Sequence, residues 1–339
     1  MPAHPPKEPP DRAVPSDGLA APDGTVPPDG LAAPSAAVVR NLGGDPDGAA
    51  WLRRLPRLVE EFTARWDLRV GRPYPGGSCS WAAPVRRADG APAVLKLSWP
   101  HPEAACEALA LRHWAAVENP AAVRPCAWDE ERWALLLERC EPGTGLLSPE
   151  QPATPVERLT AGLDLLRELW TRPRELPRPD ACPPELAEVC EGWADLVEER
   201  FARTGAVLGA DPGPVRRGAA LLRELPRRAP GRVLLHGDFN PGNVLTARRR
   251  SHVAIDPKPM MGDPAYDPWP LLDQLPARLP LRARLLLAQE HTGQPADRLA
   301  AWGLARTVEY ALWSADRGGT ADARAALAGA SALADLAQA

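Results

Sequence analysis

The residues best suited to chemistry are concentrated in one stretch, His236-Gly237-Asp238-Phe239-Asn240-Pro241-Gly242-Asn243, with Ala254-Ile255-Asp256 close behind it. Phosphoryl transfer to a hydroxyl needs a group that orients the acceptor and takes its proton, and oxygen ligands that hold Mg2+ against the phosphates of ATP. Asp238 and Asn243 can do both from one loop, Asp238 as proton acceptor and Asn243 as metal ligand. Asp256 supplies a second metal ligand if Val244-Leu245 and Val253-Ala254-Ile255 are strands joined by the turn Arg248-Arg249-Arg250-Ser251, because such a hairpin returns Asp256 to Asn243. A polar loop capping a helix has the same spacing, and an isolated Asp-x-x-x-x-Asn proves nothing. The apolar run Val233-Leu234-Leu235 ahead of the loop and the hairpin behind it favour the catalytic reading.

A single lysine interrupts the apolar run Ala93-Val94-Leu95-Lys96-Leu97. Burying its ammonium is costly unless it is paired, and the natural partners are a carboxylate and nucleotide phosphates. Glu103 and Glu107 share a face of the helix that follows, and Glu107 is the better placed for the pair. A lysine snorkelling at a sheet edge is the competing reading. Pro75-Gly76-Gly77-Ser78 lies between two strands, where the backbone of Gly76, Gly77 and Ser78 could cover phosphates, although such a turn is often only a turn. The run Leu135-Leu136-Leu137-Glu138-Arg139 links a sheet-rich to a helix-rich region. In a kinase-like cleft the backbone of Leu137, Glu138 and Arg139 would hydrogen-bond adenine; otherwise the run is a buried strand leaving a core.

Gly262-Asp263-Pro264-Ala265-Tyr266-Asp267-Pro268 is the next concentrated polar stretch. Asp263 is expected to cap a helix and buttress the catalytic loop, and Asp267 is the candidate contact to the acceptor substrate. Glu290, Glu309 and Asp316 are candidate partners for guanidinium groups on an acceptor, if they are not simply solvated helix charges.

These residues need particular elements to position them. Residues 1–45, rich in Pro, Gly, Asp and Ala with DGLAAP twice, read as a disordered tail. Residues 46–138 read as an N-terminal nucleotide-binding lobe: a helix carrying Trp51, Leu55, Val59 and Phe62, then short strands near Val70, 80–85, 91–97, 123–128 and 132–137. The turn Arg87-Ala88-Asp89-Gly90 marks an antiparallel hairpin, and a helix is expected over about 102–116. Residues 139–335 read as a larger, mainly helical lobe, with helices near 155–170, 185–203 and 212–226, one strand-rich island over 233–255, and helical pattern from about 268 onward. The fold class is α+β.

The chain has 339 residues, enough for two cores, and a net charge of −4, which gives no reason to propose nucleic acid or anionic membrane as partner. A small hydroxylated, cationic substrate suits a modest acidic excess. Neither a leader nor a bilayer-length apolar run is apparent, so a cytoplasmic protein is expected. The six cysteines form no metal-ligand spacing and are expected to be reduced thiols.

The loop at His236 to Asn243, the segment Ile255-Asp256-Pro257-Lys258-Pro259 and Gly262 to Asp267 resemble the aminoglycoside phosphotransferases, in the branch of streptomycin 6-kinases and hydroxyurea phosphotransferases. The similarity extends to the helix at 50–66, the Gly-Gly-Ser turn, Leu95-Lys96-Leu97, Leu135 to Arg139 and Ala301 to Arg306. It implies a protein-kinase-like two-lobed fold, ATP with Mg2+, and transfer of the γ-phosphoryl group to an antibiotic hydroxyl. It places the proton acceptor on Asp238, metal ligands on Asn243 and Asp256, and phosphate contact on Lys96. Asn240, where many members carry His or another residue, is a departure that bears on loop geometry and leaves the metal ligands in place.

Three functions compete. An antibiotic phosphotransferase of the streptomycin type stands first, and a kinase of hydroxyurea or of a hydroxylated metabolite shares its chemistry. A non-catalytic nucleotide-binding scaffold ranks last, because Lys96, Asp238, Asn243 and Asp256 are all present. A protein kinase is disfavoured by Gly237, which stands where an arginine would read a phosphorylated loop, and by the short interval between Asp256 and Gly262.

Overall fold

The sheet-rich region forms one five-stranded antiparallel sheet in the computed structural model, which describes residues 33–170, 183–275 and 279–337. Its strands are β1 (Arg69–Val70), β2 (Ser80–Arg86), β3 (Pro92–Ser98), β4 (Pro125–Asp129) and β5 (Ala134–Glu138), in the order β1-β2-β3-β5-β4. The turn at Asp89-Gly90 joins β2 to β3 in unbroken register from Ser80 opposite Ser98 to Arg86 opposite Pro92. One face of the sheet is covered by α2 (Pro46–Arg65), whose Trp51, Leu55, Val59 and Phe62 lie on a single apolar stripe and pack with Trp81, Ala83, Leu95, Leu97 and Leu136. Each fully buried leucine, valine or phenylalanine among them contributes roughly 1.5–3 kcal/mol relative to exposure. Pro56 sits on the exposed side of α2, and the helix runs through it.

Helix begins earlier than the composition predicts. Within the stretch assigned to the tail, α1 (Ala36–Leu42) is capped by the Ser35 side chain and buries Val38 and Leu42 in the same core. Residues 1–32 of that predicted tail lie outside the described residues.

A short helix, α3 (Glu107–Trp114), precedes β4, and after β5 comes β6 (Pro142–Gly145), which the sequence did not mark as a strand. It pairs with β8 (Val244–Ala247), which forms the predicted hairpin with β9 (Arg250–Ala254). Before them in the chain lie α4 (Pro155–Leu169), α5 (Leu186–Leu208), α6 (Pro212–Arg227) and β7 (Val233–Leu235). Thr154 and Glu157 make a reciprocal capping box at the start of α4. After the hairpin come β10 (Met260–Gly262), α7 (Trp269–Gln274), α8 (Leu281–Thr292), α9 (Ala296–Asp316) and α10 (Thr320–Leu336).

The chain divides into two units. One holds the described residues up to Gln151 together with Val244–Ile255; the other holds those of Pro152–Asn243 and Asp256–Ala339. The first is mainly antiparallel sheet and the second mainly helix, an α+β organisation. Among the described residues, no helix is long and apolar enough to cross a membrane.

Cys79, Cys126, Cys140 and Cys190 are free, but Cys106 is disulfide-bonded, which corrects the expectation of six reduced thiols; Cys182 lies outside the described residues. Linear spacing shows metal-ligand patterns but not which distant cysteines meet in space.

Candidate active site

The loop that carries Asp238 is shaped by the strand pair on which it rests. β7 runs antiparallel to β10 with Leu235 opposite Met260, and one step further the Lys258 N–H donates to the His236 carbonyl at 2.8 Å. Gly237 sits at the closest point of this approach: it has φ +81°, and a Cβ there would lie 1.8 Å from the Lys258 carbonyl oxygen. Only glycine fits. The segment reaches this position by turning at Asp256, a non-glycine residue held at φ +56°, a conformation of the kind that accumulates at functional sites.

Asp238 is 4% exposed. Its Oδ1 accepts from Asn240 Nδ2 at 3.1 Å and its Oδ2 lies 3.5 Å from Lys258 Nζ. Its backbone carbonyl accepts from Asn240 N–H and from Asn243 Nδ2, both at 2.9 Å. The bond from Nδ2 fixes the Asn243 amide, so its carbonyl oxygen is turned away from this contact and kept as an acceptor. Asn243 immediately precedes β8, and Asp256 follows shortly after β9; because Val244 pairs with Ala254, both come to the same end of the hairpin, as the sequence predicts. A carboxamide and a carboxylate oxygen are the hard donors that suit Mg2+, which takes few protein ligands and completes its shell with water and phosphate.

Asp267 is corrected from its predicted role. It is 0% exposed, and its oxygens are occupied by loop and helix donors: Oδ2 accepts from His236 N–H at 2.8 Å and from Trp170 Nε1 at 3.1 Å, and Oδ1 accepts from Gly237 N–H at 2.8 Å. It buttresses the loop that carries Asp238, with its side chain fully buried. Burial pushes its carboxyl above the ordinary aspartate range, opposed by the charge of His236 and by these donors. Asp263, expected to be the buttress, instead caps the 3-10 turn Pro264–Tyr266 and accepts from Arg298 Nε at 2.8 Å and Trp302 Nε1 at 2.6 Å. Both aspartates flank the same turn, so sequence alone could not tell which faced the loop. Asp267→Ala should lower stability by about 3 kcal/mol or more, since two buried backbone donors lose their acceptor. A thermal melt checks this, and a selective rise in acceptor KM without loss of stability would restore the substrate-contact reading.

In the sheet unit, Lys96 is 7% exposed on β3, and its Nζ lies 2.7 Å from both oxygens of Glu107, itself 3% exposed. This is the pairing that the spacing predicts. Glu107 stands in the first turn of α3, where the helix dipole favours a negative charge. Gly76 and Gly77 are exposed between β1 and β2, and Gly77 adopts φ +92°. The Ser78 carbonyl accepts from Asn41 of α1 at 3.4 Å. Leu135, Leu136 and Leu137 are buried in β5. The Glu138 carboxylate is held by Arg249 at 2.7 Å and by Arg124 N–H at 3.0 Å, and Arg139 lies 3.9 Å from Glu141. The Glu138 N–H is itself engaged, donating to the Arg124 carbonyl at 2.9 Å.

The carboxylates proposed for a cationic acceptor do not form a cluster open to ligand. Glu309 is buried 3.5 Å from Arg200, Asp316 meets Arg203 at 2.8 Å and Arg200 at 3.8 Å, and Glu290 is exposed on α8. Glu309 also lines a cavity of about 260 Å3 with Trp269, Asp273, Arg284, Tyr310 and Gly329. Sequence reading missed three side chains: Asn240 and Lys258 on Asp238, and Arg249 on Glu138. The first two lie within the segments 236–243 and 255–259 but carry no spacing signal, and Arg249 is one of three consecutive turn arginines.

Residues 65–318 match the family of aminoglycoside/hydroxyurea antibiotic resistance kinases. The streptomycin 6-kinase of Streptomyces griseus is 35% identical over 302 residues, covering 86% of this chain and 93% of that protein. The hydroxyurea phosphotransferase of Kitasatospora aureofaciens is 37% identical over 281 residues, 81% of this chain and 77% of that protein. Among solved structures, a choline kinase from Streptococcus pneumoniae superposes with a TM-score of 0.57 at 14% identity, covering 81% of this chain and 98% of that one. A macrolide 2'-phosphotransferase from Brachybacterium faecium gives 0.54 at 22%, covering 80% and 97%. The structural likenesses carry the fold, which is that of kinase-like phosphotransferases. The sequence likenesses carry the chemistry: the chain belongs to the aminoglycoside/hydroxyurea antibiotic resistance kinase family and is a phosphotransferase that acts on a hydroxyl group.

Proposed function

We propose that the protein transfers the γ-phosphoryl group of ATP, with Mg2+, to a hydroxyl of an aminoglycoside of the streptomycin type, acting in the cytoplasm as an antibiotic-inactivating enzyme. The observation that carries this reading is Asp238: a buried carboxylate, fixed through one oxygen, at the centre of a loop whose backbone is held by Asp267 and whose Asn243 amide is oriented by a bond to the Asp238 carbonyl. Asp238 orients the acceptor hydroxyl and takes its proton as the new O–P bond forms and the bond between the γ-phosphorus and its bridging oxygen breaks, so that ADP leaves. Asn243 and Asp256 would hold the metal, which when bound neutralises phosphate charge. Lys96, fixed by Glu107, would contact the nucleotide phosphates, with the backbone of Gly76, Gly77 and Ser78 covering them and that of Leu137, Glu138 and Arg139 on adenine.

The first acceptor and its alternative have relatives of similar identity, the streptomycin kinase at 35% and the hydroxyurea enzyme at 37%, so identity does not rank them. Mass spectrometry of a mixture of streptomycin, hydroxyurea and hydroxylated amino alcohols, after incubation with enzyme, ATP and Mg2+, makes the choice. The expected result is the mass of one added phosphate on streptomycin. Phosphate on hydroxyurea or an amino alcohol alone would replace the acceptor and leave the chemistry, and ATP consumed by none of them would count against the whole reading.

A further inference from the structure

Asp238 presents an electrostatic problem that the catalytic reading leaves open. A carboxylate this buried needs a countercharge, since an uncompensated one is strongly destabilising. Its bonds from Asn240 involve a neutral amide, and the one cation within 4 Å among the described residues is the ammonium of Lys258. That lysine is placed by backbone: its N–H closes onto the His236 carbonyl beyond the β7–β10 pair, directly opposite Gly237.

The contacts of Lys96 with Glu107 and of Lys258 with Asp238 differ in a way that matters. Lys96 grips both oxygens of Glu107 at 2.7 Å, a closed pair with hydrogen bonds to each. Lys258 Nζ stands 3.5 Å from Oδ2, a longer contact, while Oδ1 is fixed by Asn240 at 3.1 Å. The ammonium balances the charge without occupying Oδ2 with a short bond, so that oxygen keeps a lone pair for a proton. We infer that Lys258 is a positioning residue for the proton acceptor: with Asn240 it fixes the Asp238 carboxylate so that Oδ2, and not Oδ1, faces the acceptor hydroxyl. The inference rests on the proposed role of Asp238 and adds a second residue, from a different segment, through which that role is set.

A double-mutant cycle tests it, with steady-state kinetics and thermal melts of Lys258→Met, Lys258→Arg, Asp238→Asn and the Asp238→Asn/Lys258→Met pair, using whichever acceptor the mass spectrometry identifies. Lys258→Met should lower kcat about 100-fold while KM for ATP moves less than about 3-fold, and Lys258→Arg should recover roughly a tenth or more of wild-type kcat by restoring the charge. The double variant should be no slower than Asp238→Asn alone, because a residue that acts through Asp238 has nothing left to act on. Lys258→Gln, held to the same criteria, replaces the methionine variant if that protein does not fold. Wild-type kcat in Lys258→Met beside an impaired Asp238→Asn would overturn this inference alone. So would a further loss of about 10-fold or more in the double variant, which would mean that Lys258 acts elsewhere. An Asp238→Asn protein with wild-type kcat would instead remove the proposed proton acceptor itself.

Discussion

Asp238→Asn is expected to slow phosphoryl transfer by about 100- to 10,000-fold while ATP binds as in the wild type. The substitution removes the proposed proton acceptor and the charge that faces Lys258, and it leaves the bonds of the loop in place. An asparagine at this position still offers a carbonyl oxygen to Asn240 Nδ2, and the bonds that shape the loop run to the backbone carbonyl of residue 238, which the change does not touch. Equilibrium binding of ATP and a single-turnover assay separate the two effects. Loss of nucleotide affinity in step with loss of rate would mean that the carboxylate shapes the nucleotide site and is not the base. Unchanged turnover would favour the reading of the chain as a scaffold in which these residues have no chemical part.

Gly237→Ala should be strongly damaging in the loop that carries Asp238. The added carbon would lie 1.8 Å from the Lys258 carbonyl oxygen, and the backbone at φ +81° disfavours any Cβ. Relief requires the Lys258 segment to move away, which breaks its bond to the His236 carbonyl and shifts the two N–H groups that meet Asp267. The expected cost is about 3 kcal/mol or more, from backbone strain and unmade buried hydrogen bonds together, with activity lost even where the protein still folds. Gly231→Ala is the control, because a Cβ there meets nothing within 4 Å. Melts of the two variants side by side check the difference; equal stabilities would show that the loop is softer than its geometry implies.

Much of the fold was legible because local signals and tertiary packing agree. The strands of the sheet unit follow short apolar runs broken by turns, and Asp89-Gly90 sets a register that β2 and β3 keep along their whole length. The Lys96–Glu107 pair could be read because a buried ammonium demands a carboxylate and helix spacing offered few. What escaped were features determined by partners far away in the chain. β6 is a strand because Pro142 and Gly145 find β8, about a hundred residues further on, and its own composition of Pro, Gly and Thr announces a turn. α1 was hidden in a segment of disordered composition because its order comes from the core it joins. The exchange of roles between Asp263 and Asp267 has a related origin: both are buried carboxylates beside prolines, and only the direction of the chain at the turn Pro264–Tyr266 decides which one meets the loop.

The hairpin of β8 and β9 belongs to the sheet unit, although the residues on either side of it, Asn243 and Asp256, belong to the helical one. Its strand β8 gives β6 its partner, and Arg249 from its turn neutralises Glu138. A fragment ending at Gln151 would consequently carry an unpaired strand edge and an uncompensated acid, and the remainder would carry a dangling ribbon. The two units are thus interleaved along the chain, and cutting it between Gln151 and Pro152 leaves neither piece with a whole unit.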